Sequence, residues 1–126
     1  MASEPSFTIP ARPQRRYPYE GGVEYEGETV FHLRPRPPQD DDSLDTLLQR
    51  TLEAGPYRHG DFLNLPMPLY LVRDEETGDV FRVSVRGGAI HFHVLPATGS
   101  AGLQALYERF ATTWDVEWQV DCETTC

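Results

Sequence analysis

The chain has 126 residues, enough for one domain with a modest core and too few for two. All eleven basic residues are arginine, set against twenty acids for a net charge of −9, and no apolar run approaches the roughly 20 residues that a membrane-spanning helix needs. Residues 40 to 126 hold six arginines and fifteen acids, so the part expected to fold lacks the basic footprint that nucleic-acid binding requires.

The opening stretch, MASEPSFTIPARPQRR, contains no apolar segment of signal-peptide length, which leads to the expectation of a cytoplasmic protein without a membrane partner. An acidic, lysine-free surface stays hydrated where salt screens charge, a composition that fits a halophile or a GC-rich genome. Residues 1 to 20 carry Pro5, Pro10, Pro13 and Pro18 together with Arg12, Arg15 and Arg16, and read as a flexible arm. Residues 21 to 126 read as a single domain.

From Val23 the pattern alternates. Val23, Tyr25, Thr29, Phe31 and Leu33 share one side and Glu24, Glu26, Glu28, Val30 and His32 the other, as in a half-buried strand. The run Arg34-Pro-Arg-Pro-Pro38 is expected to end it. Ser43 then serves as an N-cap for a helix over 43–54, whose stripe of Leu44, Leu47, Leu48 and Leu52 is halted by Gly55-Pro56. Residues 55 to 67 read as a loop anchored by Phe62 and Leu65, with His59 and Asp61 at its surface. Strands follow at 69–73, 80–86 and 89–95, then a helix at 100–111 bearing Leu103, Leu106, Tyr107 and Phe110. A final strand alternates Trp114, Val116, Trp118, Val120 and Cys122 with acids and Gln119. The order β-α-β-β-β-α-β implies an α+β, two-layer fold: one mainly antiparallel sheet of about five strands with both helices on one face.

Gly87-Gly88 is the two-residue loop of a hairpin, and a loop of that length fixes the partners across it. Arg86 faces Ala89, Val85 Ile90, Ser84 His91, Val83 Phe92, Arg82 His93 and Phe81 Val94. Apolar residues then meet apolar ones on one side, while Arg82, Ser84, Arg86, His91 and His93 share the other. These five form the candidate site, a cluster of donors able to grip a phosphate or carboxylate. A metal is not expected between the two histidines, because the arginine opposite His93 repels a cation and no third ligand is assignable. Cys122 and Cys126 are too few for a zinc site or a disulfide framework, and are expected as one half-buried and one terminal thiol.

The stretch Ile90-His91-Phe92-His93-Val94-Leu95-Pro96 resembles the second half of the signature of histidine-triad nucleotide hydrolases and transferases. That resemblance implies His91 in the place of the nucleophile and His93 in that of the third histidine; the first histidine's position is Ala89. A simpler fate for the cationic face is a charge ladder with the acids of the last strand (Asp115, Glu117, Asp121) or of the first (Glu24 to Glu28). With no nucleophile-base pair, glycine-rich phosphate loop or complete metal set in view, no catalytic residue and no cofactor is assigned. The expectation is a small acidic, non-enzymatic binding or interaction module whose partner is another protein or a second copy. The alternative is a phosphate or nucleotide binder, or a hydrolase, working through His91, His93 and Arg82.

Overall fold

The computed structural model describes residues 7, 9, 14–16, 24–26, 28–61, 69–96, 98–114 and 116–125. Strands β1 (Gln14–Arg16) and β2 (Glu24–Glu26) pair antiparallel in a small ladder of their own. The main body runs β3 (Glu28–Arg36), α1 (Asp41–Ala54), β4 (Tyr57–Asp61), β5 (Leu69–Asp74), β6 (Val80–Arg86), β7 (Ala89–Val94), α2 (Ser100–Thr113) and β8 (Glu117–Thr125). Its six strands form one antiparallel sheet in the order β4-β5-β6-β7-β3-β8. The α+β class is as expected, but the sheet has six strands in place of about five.

The extra strand is β4, which lies where a loop was expected. Its sequence, Tyr-Arg-His-Gly-Asp, has no apolar alternation because an edge strand with one neighbour need not bury a face. His59 is exposed on it, whereas Phe62 and Leu65 lie outside the described residues, as do Val23, Asp115 and Cys126. The first strand also departs from expectation. Pairing continues through Pro35 to Arg36, and Pro35 sits opposite Trp118. Beyond Leu33 only β8 pairs with β3, so the missing proline N–H falls where the strand has become an edge. Helix α1 begins two residues early: Asp40 is the N-cap, its Oδ1 accepting the Ser43 N–H at 2.7 Å, with Asp41 and Asp42 at the positive end of the helix.

Gly87 (φ 61°) and Gly88 (φ 75°) hold the two left-handed positions of a tight hairpin turn, a conformation side chains resist. The partners across it are those that loop length dictates, from Arg86 opposite Ala89 to Phe81 opposite Val94. One side of the sheet therefore presents Phe31, Leu33, Tyr70, Val72, Phe81, Val83, Val85, Ile90, Phe92 and Val94 to the helices. These bury Leu44, Leu47, Leu48 and Leu52 from α1 and Leu103, Leu106 and Phe110 from α2 in one core. Phe7 joins it from the N-terminal stretch, 2% exposed, with its ring centroid 5.1 Å from Phe31, 5.8 Å from Phe92 and 5.5 Å from Tyr107. Cys122 is exposed where a half-buried thiol was expected, because it lies on the outermost strand. Among the described residues no helix is long and apolar enough to cross a membrane.

Helix α2 starts on Gly99, which has no side chain to cap it, and Asp79 from the turn before β6 takes that role. Its Oδ2 accepts the Gly102 N–H at 2.7 Å. A β-carbon on Gly102 would meet the Asp79 β-carbon at 2.7 Å, so the small residue admits the carboxylate. Asp79→Ala is expected to lower stability by about 1 kcal/mol, the usual loss of a helix cap, as measured by urea denaturation. In the same assay Phe7→Ala is expected to cost about 3 kcal/mol, the loss associated with a core phenylalanine; an unchanged midpoint would show that Phe7 does not stabilise the domain.

Candidate functional site

The side of the sheet away from the helices carries the candidate residues in rows set by register. One row runs Leu71, Arg82, His93, Val30, Glu123; the next runs Leu69, Ser84, His91, His32, Asp121. Arg82 and Arg86 are exposed, His91 and His93 half-buried, and Ser84 is 2% exposed. The five residues singled out from the sequence thus share one face, as the hairpin dictates. Within it, Ser84 Oγ lies 2.8 Å from His93 Nε2, a diagonal hydrogen bond between neighbouring strands.

A residue absent from the sequence-based site joins it. The neighbour of β7 on the far side from β6 is β3, and it places His32 directly opposite His91, Nδ1 to Nδ1, at 2.7 Å. The rings meet edge-on, with centroids 4.7 Å apart and planes at 86°. His91 Nε2 lies 3.1 Å from the Arg86 carbonyl oxygen, and His32 Nε2 lies 3.1 Å from Glu123 Oε2.

The proton positions follow from the partners. A carbonyl oxygen only accepts, so His91 Nε2 carries a hydrogen and, in the neutral ring, Nδ1 is the acceptor. His32 Nδ1–H therefore donates to it. Glu123 also only accepts as a carboxylate, and its Oε2 faces the remaining ring nitrogen of His32, Nε2. Burial holds the His91 pKa below its ordinary 6.5, against the hydrogen bond to the Arg86 carbonyl, and the charges of His32, Arg34 and Arg86 depress it further.

The acids of the last strand do not reach the histidines of β7, because β3 lies between. Asp121 pairs with Arg34 at 3.3 Å, Glu123 with His32 at 3.1 Å, and Gln119 accepts from Arg36 at 2.6 Å. Of the first strand's acids, Glu24 and Glu26 belong to the separate β1–β2 ladder and Glu28 opens β3 opposite Thr125. On β4 and β5, Arg58 and Arg73 both bind Glu75. Arg82 and Arg86 have no acidic partner among the described residues.

Among the described residues no group of three or more His, Cys, Asp or Glu is arranged to hold a metal. A separate open groove of about 680 Å³ lies between the helices, where Arg50 and Arg109 are mixed with Glu76 and Glu108. Its threonines Thr51, Thr112 and Thr113 donate their hydroxyls to helix carbonyls one turn back. Mixed charge and engaged hydroxyls leave that groove little to offer a ligand of either sign. No family model, curated protein or solved structure matches this chain.

The depressed His91 pKa fixes a pH dependence. The unfolded chain takes up the proton near pH 6.5 and the folded one only at lower pH, so this contribution to stability is complete above 6.5 and is lost as pH falls through that window. Urea denaturation over a pH series is expected to show stability declining on acidification below 6.5, and His91→Gln is expected to flatten that decline.

Proposed function

We propose that this is a non-enzymatic binding module whose open sheet face captures an anionic group, a phosphate or a carboxylate, through Arg82 and Arg86. The single observation behind this reading is the distribution of charge. Asp121 and Glu123 of β8 are engaged by Arg34 and His32 one strand away, while two exposed guanidiniums of β6 have no acidic partner among the described residues. In a protein of net charge −9 such a cationic patch draws an incoming anion to one place on the surface.

Four residues apart on one strand, the two arginine α-carbons are about 13 Å from one another, and the small Ser84 between them leaves the floor low. Leu71, 41% exposed and directly opposite Arg82, offers an apolar contact for the body of the ligand. The acidic, lysine-free exterior suits work in a salty cytoplasm, where screening weakens distant charges but leaves short paired contacts intact.

The hydrolase reading is less well supported by the same geometry. A nucleophilic imidazole needs a nitrogen lone pair facing its substrate, yet both nitrogens of His91 are engaged, one by the Arg86 carbonyl and one by His32. The Ser84 hydroxyl has a histidine beside it, but at 2% exposure it is closed to a substrate.

Titration with inorganic phosphate, followed by NMR of the histidine ring protons, is expected to shift His91 and His93 at millimolar ligand and leave His59 unmoved. Arg82→Ala and Arg86→Ala are each expected to weaken binding at least about tenfold, since a charge-assisted hydrogen bond contributes ~1.5–3 kcal/mol. Unmoved His91 and His93 resonances would refute the reading.

A further inference from the structure

The imidazole pair is the feature of this face that its electrostatics leaves most constrained. One hydrogen occupies the 2.7 Å gap between the Nδ1 atoms of His32 and His91. A second hydrogen on His91 Nδ1 would point two N–H groups at one another across that gap. Among the described residues the charged groups around His91 are Arg82 and Arg86 on β6, His93 on β7, and His32 and Arg34 on β3. Glu123 and Asp121 of β8 are reached only through His32 and Arg34. Among the described residues every charge directly facing His91 is thus cationic or able to become so, and an anion seated between Arg86 and His91 would reverse that balance.

We propose that capture of a dianionic group at this face is coupled to the uptake of one proton from water by His91 Nδ1, which breaks the hydrogen bond to His32. The inference rests on the anion-binding reading above and adds to it a ligand charge and a control. In the resting state His91 offers a bound ligand no donor, because its Nε2–H is held by the Arg86 carbonyl and its Nδ1 is an acceptor. Protonated and parted from His32, it contributes an N–H donor and a positive charge beside Arg86. His32 keeps its own counter-ion in Glu123 and acts as a positioning residue: its hydrogen bond keeps His91 in the neutral, non-donating form.

Proton and anion then favour each other, and each raises the affinity for the other by the same factor. Acid therefore works in opposite senses on the empty and the loaded protein. It destabilises the empty fold through the buried imidazole, and it strengthens the complex.

Sulfate is the appropriate probe, since it remains a dianion across the histidine range, whereas phosphate titrates there itself. Its affinity for the whole chain is to be measured calorimetrically from about pH 8 to about pH 5, at each pH in two buffers of different ionisation heat. The expected result is a rise in affinity of at least about fivefold on acidification, with net proton uptake on binding across the pH window in which the affinity rises. His32→Gln removes the imidazole that holds His91 Nδ1 as an acceptor and is expected to bind sulfate still, with the midpoint of the rise moved to higher pH. A merely structural role for His32 would leave that midpoint in place. Sulfate binding of constant affinity with no proton uptake would overturn the coupling and leave the anion site standing. A wild-type protein that binds no sulfate at any of these pH values would overturn both.

Discussion

Nine consecutive pairs join β3 to β8, and this long ladder sets the electrostatics of the open face, because it draws the acids of the last strand onto Arg34, His32 and the Arg36 side. Exposed pairs of this kind contribute about 0.2 to 1 kcal/mol each and do not hold the fold together. Their importance lies in what they leave over. With β3 interposed, β7 has a histidine and an arginine for neighbours where an acidic strand would have given it carboxylates. Among the described residues the cationic side chains of β6 then meet no carboxylate. Strand order, more than composition, decides the sign of this surface.

The apolar side and the polar side of the sheet are tied by the same constraint. Alternation on β7 sends Ile90, Phe92 and Val94 into the core, and it sends His91 and His93 to the opposite side of the sheet. Slipping β7 by one residue against β6 would place both imidazoles beneath the helices and expose a phenylalanine. The register is therefore enforced by the whole core, and the glycine pair at the turn only has to permit it.

What could be read from the sequence follows the distance over which contacts form. The β6–β7 register was legible because its turn is two residues long and both strands alternate cleanly. Both helices were legible from their leucine spacing, although Ser43 gave way to Asp40 as the cap, the earlier of two competent residues. His32 was legible as an outward residue of its strand. Its apposition to His91 was not, for the two are 59 positions apart and nothing local specifies that β3 lies beside β7. Strand β4 escaped notice because an edge strand with a glycine and three charged or polar side chains obeys no hydrophobic period. Sequence likewise gave Ser84 the same standing as its neighbours on the face, and only packing shows it enclosed.

The hairpin tip carries one more connection. Gly88, one bond beyond the turn's first glycine, donates its N–H to Asp41 Oδ1 at 2.7 Å, in the opening turn of α1. Arg86, whose carbonyl holds His91, stands just ahead of that turn. A line of polar bonds thus crosses the molecule sideways, from Glu123 on the outermost strand through His32, His91 and the Arg86 backbone, and on by way of the glycines to the helical layer. The imidazoles are consequently braced at both ends, and a ring that swings free of its partner does so against a frame anchored in the other layer of the protein.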